Sequence, residues 1–351
     1  MLKTSLIAIL IIVSSFFPVS YSYADEAPSP ISVETILREM IGKPTGDLTK
    51  DDLKDVTTFT VDSQNISHLE FLELCPNLKE LTLSSVYPED ITPLSKLTKL
   101  EKLSLVFNKI TDITPLSNLV NLVELDISRS FELKDARPIG NLHNLKSLSI
   151  GFSKIEDIGF LKNTPKLEKL DMYGLLIRDF EPMSSLTELK ELILPFLDAK
   201  AVRIISKFTG LTSLSLDEIQ VNDLSFLNNF KNLESLELHG GVYGTLFGSG
   251  LYLQDIANLH NLKSLSLRSV AAKDLDALGG LVNLNSLSLH NMKFRSLKPL
   301  SNMKNLAELS MINCTTTEYE YLSNLINITY LFIGSSNVSD VSDLSFIKEM
   351  K

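Results

Sequence analysis

One group of side chains in this chain has the types that metal binding or proton transfer require. Asp217 and Glu218 precede Glu237 and His239 by about one turn of a repeat described below. Carboxylate and imidazole groups bind divalent cations or act as general acid and base; the alternative is that these four are solvated surface charges. The sequence has no HExxH motif, no glycine-rich phosphate loop and no Ser-His-Asp order. We therefore predict no catalytic residue, no metal site and no cofactor, and that the chain is not an enzyme.

An internal repeat sets the elements that must position these side chains. The pattern Leu-x-x-Leu-x-Leu, degenerate in the first copy, recurs with starts at Val56, Leu78, Leu100, Leu122, Leu145, Leu167, Leu189, Leu211, Leu233, Leu262, Leu284, Leu306 and Ile328. Ten of the twelve intervals are 22 residues, one is 23 and one is 29. Alternating leucines predict a strand with one buried face. No copy can bury that face alone, so the thirteen copies are expected to stack around one core.

The second half of each copy has a different pattern. An aspartate, an aliphatic residue and often a Pro-Leu pair recur, as at 90–94 and 112–116. An aspartate accepts hydrogen bonds from the free N–H groups of a first helical turn, where proline is tolerated. The two patterns together predict a strand, a turn and a short helical segment in each copy.

These repeats resemble the 22-residue class of bacterial leucine-rich repeats, the internalin-like proteins. The segment from Val33 to Leu53, with Gly42, Pro44 and Gly46, is similar to the N-terminal helical cap of that family. The resemblance implies an α/β solenoid, a leucine-rich-repeat horseshoe. Its parallel sheet would lie on the concave face and short helices or 3₁₀ turns on the convex face. It also implies that the concave face binds a protein.

The chain departs from the family pattern at one position. The family places an asparagine five residues after the second leucine, where its amide bonds the turn backbone. Asn108 fits that position well. The other copies carry Val86, Ser130, Leu175, Leu197, Ile219, Met292 and Cys314 there.

The repeat also separates the thiols and imidazoles. Cys75 and Cys314 lie eleven copies apart, on the order of 50 Å at the spacing of parallel strands, so we predict two free, buried thiols and no intramolecular disulfide. His239 and His290 share one strand position, but the strand that carries Arg268 lies between them. They would be about 10 Å apart and could not ligate one zinc ion.

The first 24 residues differ in character from the repeats. Lys3 precedes an apolar run from Leu6 to Phe17, and Ser22-Tyr23-Ala24 places small residues before Asp25. This pattern predicts a signal peptide that is cleaved before Asp25. The alternative is a membrane anchor, but the run spans only about 18 Å as a helix against roughly 30 Å of hydrocarbon. The predicted location is secreted or periplasmic, without membrane insertion after cleavage.

The domain organisation follows from these patterns. Residues 1–24 form the signal peptide, and residues 25–55 form a linker and the N-terminal helical cap. Residues 56–351 form the leucine-rich-repeat domain, with an insertion at 239–252.

The charge balance restricts the partner. The formal net charge is −10 at pH 7, whereas nucleic acids and anionic membranes require a basic face. We therefore predict a protein partner and exclude nucleic acid.

Two sets of residues are candidates for binding that partner. Aromatic and arginine side chains, which are enriched in binding hot spots, occur at strand ends as Phe107, Arg129, Phe152, Tyr173 and Phe196. The alternative is that some of these rings pack as core. The secondary candidate is the glycine-rich insertion with Tyr243, Phe247 and Tyr252, because loops inserted in solenoids commonly carry function.

The sequence thus predicts an exported protein-binding module that recognises a partner through its concave face, as an adhesin or surface interaction protein. The alternative is a structural solenoid that forms homodimers through an uncapped C-terminal end, because the chain ends where a fourteenth copy would begin.

Overall fold

The computed structural model describes residues 8–10, 32–62, 66, 68–88, 90–221, 223–240, 253–270, 272, 274–316 and 318–334. The rest of the predicted signal peptide, most of the insertion and residues 335–351 lie outside this part. The chain divides into two compact units. The N-terminal unit is Tyr21–Leu189; the C-terminal unit is Lys190–Lys351 together with Met1–Ser20, which includes strand β1 (Ala8–Leu10).

The N-terminal unit begins with helix α1 (Val33–Ile41). Ser32 caps the helix by accepting a hydrogen bond from the backbone N–H of Glu34 at 3.1 Å, and Gly42 ends it in the left-handed conformation. Val33 and Leu37 are fully buried. The predicted N-terminal cap helix is therefore confirmed. Within the described ranges, no helix is long and apolar enough to cross a membrane.

Six parallel strands follow in this unit: β2 (Thr58–Asp62), β3 (Glu80–Ser84), β4 (Lys102–Ser104), β5 (Glu124–Asp126), β6 (Ser147–Ser149) and β7 (Lys169–Asp171). The register aligns the buried residues Phe59, Leu81, Leu103, Leu125, Leu148 and Leu170 across the sheet. The 23-residue interval leaves this alignment intact. The predicted parallel stack is confirmed for this unit.

Short 3₁₀ helices return the chain after each of these strands, at Glu70–Leu74, Thr92–Lys96, Thr114–Asn118, Arg137–Asn141, Gly159–Asn163 and Glu181–Ser185. The predicted aspartates begin them. Asp90 and Asp112 each accept a hydrogen bond at 2.8 Å from the N–H two residues later. That N–H belongs to the first residue of the helical turn, so the carboxylate satisfies a donor that has no partner inside the turn.

The C-terminal unit repeats the same design with strands β8 (Glu191–Leu194), β9 (Ser213–Leu216), β10 (Ser235–His239), β11 (Ser264–Arg268), β12 (Ser286–His290), β13 (Glu308–Ile312) and β14 (Tyr330–Gly334). Strand β1 pairs in parallel with β14. Leu236 of β10 lies opposite Leu265 of β11, so the 29-residue interval preserves the register and its extra residues lie outside the strands.

The segments between these strands are 3₁₀ helices at Ser225–Asn229, Leu253–Ile256, Asp276–Gly280, Lys298–Asn302 and Tyr319–Asn324. An α-helix, α2 (Ala199–Ile205), takes this place after β8. Asp198 caps it by accepting hydrogen bonds from the N–H groups of Lys200 and Ala201. Together the two units confirm a leucine-rich-repeat solenoid.

The residues named in the sequence analysis at the family asparagine position are buried in both units. Asn108 is 2% exposed, and its side chain accepts from the N–H groups of Val86 and Tyr87 while it donates to the Leu83 carbonyl at 2.7 Å. Apolar side chains replace it elsewhere and are equally buried. Ser130 is buried there with no hydrogen-bond partner for its hydroxyl. In those copies the buried side chain fills this position by packing, in place of the hydrogen bonds that the asparagine amide makes.

A second asparagine position, directly before the first leucine of a copy, recurs in several copies. Seven of these side-chain amides donate at 2.6–3.0 Å to a backbone carbonyl of the preceding copy or, for Asn77, of Lys54 just before the first copy. The donors are Asn77, Asn121, Asn144, Asn261, Asn283, Asn305 and Asn327. This row of hydrogen bonds ties neighbouring copies together within each unit.

Candidate functional site

One residue after each strand of β3 to β7 adopts the left-handed backbone conformation in the N-terminal unit. These residues are Ser85, Phe107, Arg129, Phe152 and Gly174, with φ between 54° and 72°. They occupy the same position in successive copies, which we call the first row. A left-handed conformation is ordinary for glycine but uncommon for phenylalanine and arginine, whose Cβ crowds the backbone.

Backbone hydrogen bonds to the next copy hold this conformation. The N–H of Phe107 donates to the Ser128 carbonyl at 3.1 Å, and the N–H of Arg129 donates to the Gly151 carbonyl at 2.8 Å. The N–H of Phe152 continues the series. The first-row side chains consequently follow one another at the spacing of the strands, about 4.8 Å.

The three large side chains of the first row form a stack. The guanidinium carbon of Arg129 lies 4.7 Å from the ring centroid of Phe107 and 4.6 Å from that of Phe152. The stack ends at Gly174, where a Cβ would lie 3.1 Å from Cδ1 of Phe152. An arginine between two rings makes cation–π contacts on both faces.

The cation–π contacts of the stack do not clearly exceed the free-energy cost of its left-handed backbone. Each non-glycine residue in the left-handed region costs roughly 1–2 kcal/mol, while a cation–π contact contributes about 0.5–2 kcal/mol depending on its exposure. The two terms are of similar size. The choice of Phe107, Arg129 and Phe152 at this position is therefore not explained by folding energy.

The C-terminal unit places different residues at the equivalent left-handed positions. Its left-handed positions hold Ser269, Asn291 and Asn313, besides Glu218. Asparagine tolerates this conformation better than most side chains, and here Asn313 donates to Asn291 at 2.9 Å. Polar residues at these positions are thus compatible with the fold. The fold therefore does not require the aromatic residues of the N-terminal unit.

A second row lies two residues further along each copy, at Tyr87, Lys109, Phe131 and Lys154. The ammonium of Lys109 lies 5.6 Å from the ring centroid of Tyr87. The ring of Phe131 meets that of Phe107 edge to face, with centroids 6.0 Å apart. Aromatic and cationic side chains therefore alternate both along each row and between the rows. We call this surface the aromatic–cation patch: Tyr87, Phe107, Lys109, Arg129, Phe131, Phe152 and Lys154.

The patch is accessible to a partner. Tyr87, Phe107 and Phe131 are 44%, 39% and 50% exposed, whereas Arg129 and Phe152 are half-buried. The predicted residue Phe107 is thus a surface ring, and the predicted pair Arg129 and Phe152 is held in place by it. The sequence analysis missed the second row, although aligning the copies two positions beyond the first row would have found it.

The other two predicted binding residues are Tyr173 and Phe196. Tyr173 is half-buried and packs on Phe152 with ring centroids 5.0 Å apart. Phe196 is half-buried and belongs to the C-terminal unit, just after β8.

Two carboxylates lie on the open face of the sheet near the patch. Asp126 and Asp171 each accept a hydrogen bond from the N–H two residues later, at 3.0 and 2.9 Å. Burial raises the pKa of Asp171, and the charge of Asp126 raises it further, while Lys169 and Arg129 act in the opposite direction. The carboxyl groups of Asp126 and Asp171 therefore lie beside the patch.

In the acidic group named first in the sequence analysis, Asp217 and His239 of the C-terminal unit lie close together. Nδ1 of His239 lies 3.4 Å from Oδ1 of Asp217, Glu237 accepts a hydrogen bond from Ser215 at 3.2 Å, and Glu218 is exposed. In the part of the chain that the structure describes, no three such side chains are arranged to hold a metal ion.

The register also separates the two histidines as predicted, because Arg268 lies between His239 and His290. Burial, together with the charge of Arg268, lowers the pKa of His290. Its Nε2 is 2.8 Å from the hydroxyl of Ser288.

The two thiols are free and buried, as predicted. Burial raises the pKa of each to about 11. The secondary candidate residues Tyr243, Phe247 and Tyr252 lie outside the described residues. Gly240, at the start of the insertion, passes so close to the backbone of Ser269 that a Cβ would overlap its carbonyl oxygen.

Comparisons with known proteins agree with this architecture. The family model for Leucine Rich repeats (2 copies) matches residues 98–141. An internalin (inlF) from Listeria monocytogenes is similar over 84% of this chain and 92% of its own, with 26% identity and a TM-score of 0.67. A leucine-rich-repeat protein of Leptospira interrogans shares the fold over 91% of this chain and 97% of its own, with 18% identity and a TM-score of 0.59.

The plant peptide hormone receptor RGFR1 in complex with RGF2 also shares the fold, over 85% of this chain and 51% of the receptor, with 21% identity and a TM-score of 0.52. A search among curated protein sequences found no match.

Proposed function

We propose that this internalin-like leucine-rich-repeat protein is an exported module that binds a protein partner through the aromatic–cation patch of its N-terminal unit. The observation that supports this most is the first row. Phe107, Arg129 and Phe152 occupy left-handed positions at which the C-terminal unit uses serine and asparagine. Residues held in strained backbone conformations cluster at functional sites.

The chemistry of the patch fits protein recognition. Aromatic rings and arginine dominate interface hot spots, because they bury a large area with few side-chain torsions to fix. The patch spans four copies, about 15 Å along the stack at the strand spacing. The open face of the sheet, with Asp126 and Asp171 half-buried on it, extends the surface toward the area of a standard interface, about 800 Å² per partner.

Three parts of the proposal rest on the sequence. The leader supports export to the cell exterior or the periplasm, and with it a role as an adhesin or surface interaction protein. The insertion residues Tyr243, Phe247 and Tyr252 would provide a second contact. We propose no enzymatic activity, because the Asp217–His239 pair lies on an open sheet that does not exclude water.

The test is a comparison of three forms of the protein in a pull-down against candidate surface proteins. The first is the wild type, and the second carries Phe107→Asn, Arg129→Asn and Phe152→Asn. The third is a matched control with Asn291→Ser and Asn313→Ser, at the same backbone position of the C-terminal unit. A partner retained by the wild type and the control but lost by the triple variant supports the proposal. A partner that the triple variant retains equally well rejects the patch as the site.

One observation favours the alternative function, homodimer formation. The outer edge of β14 pairs with β1, which belongs to the predicted signal peptide. Cleavage of the leader would remove that strand and leave the backbone groups of β14 unpaired, and such edges pair with other chains. Sedimentation of the processed protein would then show a dimer, and a monomer at micromolar concentration would reject this alternative.

A further inference from the structure

Two of the three cations of the aromatic–cation patch contact aromatic rings. Several other lysines of the N-terminal unit pair with a glutamate of the neighbouring copy at 2.7–3.1 Å, as in Lys79–Glu101, Lys102–Glu124 and Lys146–Glu168. Lys154 of the patch pairs with Glu132 at 2.7 Å. Within the described residues, Lys109 and Arg129 have no carboxylate within 4.0 Å. Lys109 and Arg129 thus contact rings and form no close ion pair with a described carboxylate, although Arg129 is near enough to Asp171 to lower its pKa.

The stack determines how Arg129 can be approached. Its two faces are covered by Phe107 and Phe152, so a ligand reaches only the edge of the guanidinium, where the N–H donors lie. A carboxylate accepts from that edge with two parallel hydrogen bonds. The edges of the flanking rings are also electropositive. The accessible rim of the stack is therefore complementary to acceptors.

The spacing of the two cations matches an extended chain. Lys109 and Arg129 lie in adjacent copies and differ by two positions within the copy, which places them on the order of 8 Å apart. Alternate side chains of an extended peptide lie about 6.6 Å apart on one face. Two carboxylates at alternate positions would therefore reach both cations, and apolar side chains at the next alternate positions, on the same face, would meet Phe107 and Phe131.

The surroundings favour a short acidic segment over a long polyanion. The whole chain carries a net charge of −10, and Asp126, Asp171 and Glu132 border the patch. A ligand with continuous negative charge would extend beyond the cations onto these carboxylates and be repelled.

We propose that the aromatic–cation patch recognises an extended acidic segment of its protein partner, in which two acidic residues at alternate positions are flanked on the same face by aromatic or aliphatic residues. This inference rests on the proposed function. It adds to it the chemistry of the segment that is recognised.

The experiment is a selection from a displayed library of random twelve-residue peptides, with the purified full chain as bait. Selected peptides are expected to be enriched in acidic residues two positions apart, with aromatic or aliphatic residues at the next alternate positions. A representative selected peptide, fluorescently labelled, is then titrated with variants. Arg129→Gln is expected to weaken binding by at least tenfold, and Arg129→Lys by less, because it keeps the charge but loses the paired donors. Lys146→Gln, a paired lysine outside the patch, should change affinity less than twofold.

The outcomes separate the two proposals. Peptides that require Phe107 and Phe152 but are not acidic would overturn the acidic segment and leave the binding site standing. A selection that yields no peptide dependent on the patch would count against both. Dextran sulfate serves as a polyanion probe: if it binds with dependence on Arg129 while acidic peptides do not, the recognised chemistry is a long polyanion and the inference is wrong. Thermal melts of each variant confirm that it is folded.

Discussion

The thiol of Cys314 makes, in its own copy, the two hydrogen bonds that the side-chain amide of Asn108 makes in another. Asn108 donates to the Leu83 carbonyl at 2.7 Å and to the Val106 carbonyl at 3.3 Å. The Sγ atom of Cys314 lies 3.2 Å from the Leu289 carbonyl and 3.6 Å from the Ile312 carbonyl, at the same separations along the chain. Cysteine therefore replaces the donor function of asparagine at this position, and its sulfur also receives a backbone hydrogen bond from Met292.

This relationship predicts a graded response to substitution at Asn108. Asn108→Ala would leave the N–H groups of Val86 and Tyr87 and the Leu83 carbonyl without their partner, and should lower the free energy of unfolding by about 2–4 kcal/mol. Asn108→Cys should cost less, because it restores a donor. Urea denaturation measures both. Equal losses for the two variants would show that the hydrogen bond of the thiol contributes nothing.

The thiols should react slowly in the folded protein. With a pKa of about 11 for Cys75 and Cys314, only about 0.1% of each is thiolate at pH 8, and both are buried. We expect iodoacetamide to label neither cysteine in the native protein within minutes, and both after denaturation without reductant. Rapid labelling of the native protein would contradict their burial, and a mass that lacks labels after denaturation would indicate a disulfide.

Asp171 should make stability fall as the pH rises through the range in which it ionises. Its pKa in the folded protein lies above the ordinary value of 3.8, so the folded state binds its proton more tightly than the unfolded state does. Asp171 therefore raises the free energy of unfolding only at acid pH. This stabilisation is lost from about pH 4 upward. Asp171→Asn should raise stability at pH 7 and flatten that part of the pH profile. The amide keeps an acceptor for the Tyr173 N–H.

The matching control is Asp90→Asn, an exposed cap carboxylate whose hydrogen bond with Thr92 lowers its pKa. Its contribution has the opposite sign, because it is present above the unfolded pKa and lost in acid. If Asp171→Asn lowers stability at pH 7, the carboxylate of Asp171 is better stabilised than its burial indicates.

The exported form should begin at Asp25. Small residues at Ser22 and Ala24 define the predicted cleavage site, and intact mass of the protein from the medium or the periplasm measures it. A species that retains Met1 would show that residues 1–24 are not a cleaved leader.

The solenoid was predictable because the regularly spaced leucines mark the buried positions of each copy. Strand positions and the aspartates that begin the 3₁₀ helices followed from spacing and capping chemistry. The left-handed backbone at Phe107, Arg129 and Phe152 was not predictable in this way, because a positive φ is visible in a sequence mainly where glycine or asparagine marks it. The alternative reading of these rings as core was half right: Phe152 is half-buried, while Phe107 is a surface ring.

The asparagine rows show a second limit. Val86 and Met292 fill the family asparagine position by packing, which a search for hydrogen-bonding residues does not register. The second row was present in the sequence as an Asn-Leu pair that repeats in several copies. It was overlooked because leucine spacing alone accounted for the fold.

That second row has a consequence for how such a protein can change over generations. Seven of its asparagines donate to a main-chain carbonyl 23–30 residues earlier in the chain, and every copy offers that carbonyl whatever its side chains are. A duplicated unit that ends in asparagine would bring its own donor and find a ready acceptor, and it would offer the same acceptor to the unit after it. The length of the array can therefore grow or shrink by whole copies without a compensating mutation, while the patch on its N-terminal unit stays intact.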